Sequence, residues 1–300
     1  MKKLKLEEIL ENTSDLSKKK KVGYVAIIGR PNAGKSTFIN SLIGKKVSIV
    51  TNIPQTTRKK ILAIYNDEDS QIIFFDNPGI HESNKKFNEE INNEAIKSIS
   101  EAEVILYFID ISREGGKEEE YIKNIVSKAN KPVIKVYTKN DLKSKISIPD
   151  DEKSVKISSF NKDGFNDLLK KIKKLLPIQN IFFPEDYYTK QDIYFRVSEI
   201  IREKVFMNTK EELPHSTFVQ IEEINDSDEK LMKIVAYINT ETDSQKYIII
   251  GKSGNLITKI GKESRIEIEK IFGKKVFLAL RVKVKKGWKK NEKLIKNIFK

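Results

Sequence analysis

Residues 29–36 read Gly29-Arg30-Pro31-Asn32-Ala33-Gly34-Lys35-Ser36, and their setting decides the fold. The apolar run Val22–Ile28 precedes them, and a helical pattern over 35–43 follows. GxxxxGK[ST] between a strand and a helix is a phosphate-cradling loop. Its glycines permit a tight turn whose backbone N–H groups point onto phosphate oxygens, and the following helix offers its positive end. Lys35 is placed to reach the β/γ-phosphates and the Ser36 hydroxyl to ligate Mg²⁺. Gly29, Asn32, Ala33, Gly34 and Thr37 complete the candidate nucleotide contacts of this loop.

Working outward, short apolar runs alternate with longer amphipathic stretches. Strands are expected at 22–28, 61–65, 71–75, 104–109 and 133–138, and helices at 35–43, 86–101, 117–129 and 164–175. Consecutive apolar residues in the strands suit a sheet buried on both faces, so this is an α/β domain with a mostly parallel sheet and helices on both faces. The turn-like Asn66–Ser70 predicts a hairpin and one antiparallel edge. Pro177 and Pro184 break the helical pattern. The division is therefore a lead-in over 1–20, a nucleotide domain over 21–177, a linker over 178–189, a smaller α+β domain over 190–290 and a basic tail over 291–300. In the smaller domain a helix at 190–207 leads to strands at 216–224 and 231–240. Two short helices flank Gly251–Gly254, followed by a helix at 262–272 and a strand at 275–285.

Further motifs stand in the order that such a nucleotide domain requires. Asp76-Asn77-Pro78-Gly79 ends the strand 71–75; Asp76 would hold Mg²⁺, and the Gly79 amide would sense a γ-phosphate. Thr138-Lys139-Asn140-Asp141 closes the strand 133–138 and resembles the NKxD guanine signature. Asp141 can accept from guanine N1–H and the 2-amino group, an arrangement adenine does not offer, and Lys139 would lie along the base. Thr138 replaces the usual Asn and offers fewer hydrogen bonds. Ser158-Ser159 resembles the second guanine loop, which works mainly through backbone N–H groups. Pro54-Gln55-Thr56-Thr57-Arg58 occupies the place of a first switch loop, with Thr57 preferred over Thr56 as the residue that meets Mg²⁺ and γ-phosphate. Lys35, Thr57 and Gly79 are thus the candidate catalytic set, and Ser36, Thr57 and Asp76 the candidate metal ligands. Ile80 stands where many GTPases carry a water-orienting glutamine, which predicts slow intrinsic hydrolysis. His81 is a weaker candidate base than a structural loop residue.

In the smaller domain Gly251-Lys252-Ser253-Gly254 forms a GxxG between two helices. In a KH module such a loop lets backbone approach a sugar-phosphate chain while an adjoining apolar groove takes about four bases. The triple isoleucine 248–250 reads as core. Lys259 and Arg281 add cations to the candidate RNA-binding set.

The order GRPNAGKS, PQTTR, DNPGIH and TKND, followed by SEIIREK, EELPHS and QKYIIIGKSGNLITKIGKES, resembles the Era family of bacterial GTPases over residues 20–290. What that resemblance implies is a GTP/GDP- and Mg²⁺-dependent factor in maturation of the 30S subunit. Its KH module would bind the 3′ region of 16S rRNA, with Gly251, Lys252, Ser253 and Gly254 on the RNA backbone. It also implies a monomeric, cytoplasmic protein with peripheral association at the inner face of the cell membrane.

Composition sets the outer bounds. The 300 residues are 38% hydrophobic and 33% charged, and 57 basic against 43 acidic residues give a net charge of +14. No cysteine is present, which excludes disulfides, thiolate metal sites and cysteine nucleophiles. Glu7 and Glu8 interrupt any signal-peptide core, and no apolar run is long enough to span a bilayer. Residues 246–300 hold 17 basic and 4 acidic residues, so the excess gathers beside the GxxG and predicts a polyanionic partner there. Two other readings remain open: a membrane-associated regulatory GTPase whose basic C-terminus, with Trp288, adsorbs to anionic lipid, and a metabolic P-loop kinase.

Overall fold

The computed structural model describes residues 16–53, 56–80, 86–149, 151–291 and 294; most of the lead-in, His81 and most of the basic tail lie outside them. The chain divides into two units, one of residues 1–48 and 57–190 and the other of residues 49–56 and 191–300.

The first unit is built on seven strands: β1 (Lys19–Gly29), β2 (Ile61–Asn66), β3 (Ser70–Asp76), β4 (Val104–Asp110), β5 (Val133–Thr138), β6 (Ser154–Lys156) and β7 (Ile178–Asn180). Their order is β2-β3-β1-β4-β5-β6, with β7 antiparallel to the start of β1. β1 runs parallel to both β3 and β4, and β2 is antiparallel to β3, so the expected hairpin edge is present. All seven residues of β3 are buried, and the apolar run Ile72–Phe75 at its centre suits a strand covered on both faces. Four helices cover the sheet: α1 (Lys35–Ile43), α2 (Lys86–Glu101), α3 (Lys117–Lys128) and α4 (Phe165–Leu175). Alternate β1 residues serve different packing surfaces: Ala26 and Ile28 join Ile99, Ile122 and Val126 from α2 and α3. Phe38 of α1 packs edge-on against Phe74, Phe108 and Phe165 at centroid distances of 5.9, 5.3 and 5.0 Å. This anchors the helix that carries the phosphate loop at its start.

The stretch 178–189, expected as a linker, belongs to the first unit. β7 pairs with β1, Ile181 is buried beside Val22 and Ile73, and Thr189 bridges to Ala63. Two prolines broke the helical period there, but short extended segments that add to an existing sheet edge need no period of their own.

The second unit consists of α5 (Ile193–Asn208), β8 (Phe218–Asn225), β9 (Leu231–Thr240), α6 (Asp243–Ile250), α7 (Asn255–Phe272) and β10 (Lys275–Val284). The sheet order is β10-β9-β8, with β10 parallel and β8 antiparallel to β9. α6 starts in a capping box in which Thr242 and Gln245 satisfy each other's backbone. The expected second short helix and the helix at 262–272 are one continuous helix, α7, with Gly261 inside it. A mid-helix glycine lowers propensity by about 1 kcal/mol relative to alanine, which packing along α7 overrides. Trp288 is fully buried against Phe218, its indole N–H donating to the Ser216 carbonyl at 3.1 Å.

Phe38→Ala removes the ring shared by three aromatic neighbours. It is expected to cost about 3–5 kcal/mol in urea-induced unfolding of the full chain, with weaker nucleotide binding as α1 loosens.

Candidate functional site

The turn from β1 into α1 is built from conformations that few side chains tolerate. Gly34 has φ +88°, and Asn32 adopts φ +61°, which asparagine tolerates better than most residues. Gly29 has no room for a side chain, because a Cβ would lie 2.6 Å from the Phe108 carbonyl. Gly79 is pressed onto the same loop, where a Cβ would stand 2.5 Å from the Pro31 nitrogen. Its close approach brings the end of the Asp76–Gly79 turn against the phosphate loop.

The charged groups are desolvated. Lys35 is 6% exposed and donates to the Gly29 and Arg30 carbonyls at 3.0 and 2.9 Å. Burial pushes its pKa down to about 8, helped by Arg113 and opposed by Asp76. Asp76 is wholly buried and neither carboxylate oxygen has a hydrogen-bond partner. Burial raises its pKa, while Ser48, Ser36 and Lys35 act in the opposite direction. An unsatisfied buried carboxylate is costly in isolation. The Ser36 and Thr57 hydroxyls stand 3.1 Å apart, bringing together two of the three expected metal ligands. Oxygen donors of this kind, with one carboxylate, suit Mg²⁺. The Thr56 hydroxyl instead meets the Ile53 carbonyl and the Thr51 hydroxyl, each at 2.6 Å. The choice of Thr57 over Thr56 therefore has a geometric reason.

The base-recognition loops meet at the ends of β5 and β6. Thr138, despite having fewer hydrogen bonds to offer than asparagine, donates to the Ala33 carbonyl at 2.9 Å and so ties its loop to the phosphate loop. Ser158 donates to Asp141 at 2.6 Å, orienting that exposed carboxylate. Ser159 is held through its carbonyl by the Ser41 hydroxyl at 2.9 Å. Lys139, at φ +63°, pairs with Asp110 at 2.7 Å. Burial works to raise the Asp110 pKa, but hydrogen bonds from Lys139 and Ser112 prevail and hold it below the ordinary range. Arg113 also pairs with Asp110, at 2.8 Å, and donates to the Pro31 carbonyl at 3.0 Å. Asp110 and Arg113 were missed in the sequence. The signal was a carboxylate at the C-terminal end of a buried strand, where each neighbouring parallel strand already carried a motif.

In the second unit the GxxG departs from helical geometry at three of its four residues: Gly251, Ser253 and Gly254 have φ of +74°, +53° and +79°. A Cβ at Gly251 would meet Leu256, whereas Gly254 faces open space. Beside this turn, Ile257, Thr258, Gly261, Lys262 and Arg265 of α7 and Leu278 and Leu280 of β10 line a groove of about 440 Å³. Its apolar floor and two rim cations suit stacked bases followed by phosphates.

The chain is similar over more than nine-tenths of its length to proteins of known type. Residues 24–139 match the model of a family described as 50S ribosome-binding GTPase, and residues 212–289 match that of the KH domain. GTPase Era of Borrelia garinii is 44% identical over 93% of this chain and 99% of its own length. GTPase Era of Geobacter metallireducens is 38% identical over 92% and 96%. A crystal structure of Era in complex with MgGDPNP and nucleotides 1506–1542 of 16S ribosomal RNA aligns at TM-score 0.87 and 38% identity, covering 93% of this chain and 98% of that one. The chain belongs to the Era family of GTPases.

Within this Era-family chain, two residues of the expected RNA-binding set stand apart from the groove. Strand alternation puts Arg281 on the sheet face opposite to Leu280, level with Tyr237 of β9. Lys259 pairs with Glu263 at 3.8 Å and does not line the groove. The groove cations are Lys262 and Arg265, which become legible only once 255–272 is read as one helix. Of the triple isoleucine, Ile249 is core but Ile248 is 57% exposed, beside Tyr247 at 71%.

Thr57→Ala is expected to slow GTP hydrolysis at least about tenfold and raise the Mg²⁺ concentration required, as loss of a metal-site group does. Thr56→Ala, losing only an internal loop bond, is expected to stay within about threefold in the same steady-state phosphate-release assay. Asp141→Asn keeps one oxygen acceptor but turns the other into an NH2 donor that faces a guanine donor, losing a charged hydrogen bond worth roughly 1.5–3 kcal/mol. Competition binding is expected to show its preference for GTP over ATP abolished.

Proposed function

We propose that this GTPase is a switch in which the first unit binds GTP or GDP with Mg²⁺ and the second binds the 3′ region of 16S rRNA, acting in maturation of the 30S subunit. The observation that carries this reading is the pairing, on one chain, of the Ser36–Thr57–Asp76 donor set with a GxxG beside a base-sized groove. The relative that crystallised with MgGDPNP and 16S rRNA nucleotides supports both halves.

Ser36, Thr57 and Asp76 would hold the Mg²⁺, which supplies charge neutralisation at the phosphates. Lys35 leaves the Gly29 and Arg30 carbonyls for phosphate oxygens, and backbone N–H groups of 32–37 cradle the remainder. Asp141 and Ser158 select guanine. Ile80 is wholly buried among Ala26, Ile28 and Phe75, so the position after Gly79 contributes no group to a water nucleophile. Intrinsic turnover is accordingly slow, below roughly 1 s⁻¹, as in small GTPases awaiting a partner's help.

On the RNA side, Lys252 and Ser253 bring backbone and one cation to the sugar-phosphate chain, while Lys262 and Arg265 flank the bases. An anionic-lipid surface as primary partner is disfavoured by Trp288, whose burial removes the aromatic anchor that such adsorption would use. Among the described residues no helix is long and apolar enough to cross a membrane.

The test is binding of the full chain to a labelled RNA spanning nucleotides 1506–1542 of 16S rRNA. Affinity is expected to fall steeply with salt. Lys262→Glu with Arg265→Glu is expected to reduce both the affinity and the slope, the latter by about 0.7 for each phosphate no longer neutralised. Gly254→Asp, which adds charge in open space, is expected to weaken RNA at least about tenfold while GTP binding stays unchanged. Co-sedimentation with anionic vesicles but not with 30S particles would overturn the assignment.

A further inference from the structure

The second guanine loop continues into an exposed aromatic ring. Phe160, directly after Ser158-Ser159, is 91% exposed, the most of any large apolar side chain among the described residues. Isolated apolar side chains are ordinary on a protein surface. What distinguishes this one is how its backbone is held. The Phe160 N–H donates to the Ser158 hydroxyl at 3.3 Å, and that hydroxyl donates to the Asp141 carboxylate at 2.6 Å. One serine thus ties the root of the phenyl ring to the group placed to accept from the guanine edge. The loop around it is fixed on every side. The Ser158 N–H donates to the Asp163 carbonyl at 3.2 Å, and the Asn140 N–H donates to the Ile157 carbonyl at 3.0 Å. The Ser41 hydroxyl of α1 donates to the Ser159 carbonyl at 2.9 Å. Gly164 closes the loop at φ +73°, where a Cβ would overlap the Lys156 carbonyl.

Hydrogen bonds to a base edge lie near the plane of the base, so Asp141 can hold the edge while the two flat faces stay in need of cover. We propose that Phe160 is a base-stacking residue of the nucleotide site, its ring lying against one face of the guanine whose edge Asp141 holds. A stack of a base on an aromatic ring is worth a factor of about 5 to 150 in affinity. Stacking also answers the exchange at Thr138. The Thr138 hydroxyl has one hydrogen to give and directs it to the Ala33 and Ile109 carbonyls, at 2.9 and 3.3 Å, so affinity for the nucleotide comes from elsewhere. Every base has a π-face, so a stack adds affinity with little selectivity. Guanine is selected by Asp141, and Phe160 tightens GTP and GDP alike.

This inference rests on the guanine site assigned to Asp141 and Ser158, and the experiment separates the two. Binding of GDP·Mg²⁺ and GDPNP·Mg²⁺ to the full chain is measured by calorimetry. Phe160→Ala is expected to weaken both by the same factor, at least about fivefold, with the preference over adenine nucleotides and the unfolding midpoint retained. Phe160→Trp reads the contact directly, because Trp288 is wholly buried and the native chain supplies the background. Emission of the introduced indole is expected to fall as GDP·Mg²⁺ binds, saturating at the calorimetric affinity, and to stay unchanged with pyrophosphate·Mg²⁺, which carries no base. Native GDP affinity in Phe160→Ala overturns the inference, as does loss of its guanine preference, which would mark a collapsed loop. An indole that ignores GDP, or that responds equally to pyrophosphate, overturns it too. In each case the guanine site still stands. A native chain without preference for guanine nucleotides overturns the site and the inference together.

Discussion

Parallel pairing on both sides of β1 brings the strand ends that carry the nucleotide-site motifs to one edge. Ile27 lies level with Asp76 of β3, Gly29 with Phe108 of β4, and Asp110 with Thr138 of β5. Because the strands run the same way, their C-terminal ends open on one edge, and the order reverses direction on either side of β1. Ligand sites of open α/β sheets lie at that switch point. The phosphate loop, the Asp76 turn and the guanine loop are separated by about a hundred residues of sequence, yet each is the next thing the chain does after leaving the same edge.

That edge is dry, which sets its electrostatics. Lys35 and Asp76 are both buried; burial lowers one pKa and raises the other, so each is poised to gain from a charged ligand. Asp110 is the contrasting case, since its partners Lys139, Arg113 and Ser112 are already in place. Asp76 with both oxygens unsatisfied has the character of a ligand-binding group, and Asp110 that of a brace between the phosphate loop and the guanine loop.

The second unit spends local stability on access. Three left-handed residues in the GxxG keep backbone exposed, and Gly261, whose Cβ would come only within 4.0 Å of Leu280, leaves the groove floor open at some cost to helix propensity. Trp288, just after β10, packs on Phe218 of β8, so the basic C-terminal strand is anchored by an aromatic contact. The sequence-wide lysine excess is resolved into cations with distinct settings: Lys262 and Arg265 at the groove, Arg281 on the other sheet face, and Lys283 over the Tyr237 ring at 3.3 Å.

The sequence by itself determined what depends on local spacing. GxxxxGK[ST], DxxG and TKxD each need a fixed offset from a strand end, and apolar runs of the right length supplied those ends, so the fold class and the family were legible, and the motif residues were placed at one edge of the sheet. GxxG was legible for the same reason, because a tight turn between helices constrains consecutive residues. Only the tertiary structure decided what depends on facing and on distant partners. One residue along β10 separates Leu280 in the groove from Arg281 outside it, and nothing in that dipeptide says which side the helices will cover. Thr56 and Thr57 are chemically identical neighbours distinguished by where the backbone turns each hydroxyl. Asp110 carries no motif at all, because its role arises from burial and from a partner 29 residues away. Such pairings follow from packing free energy summed over the whole chain, which no local window of sequence contains.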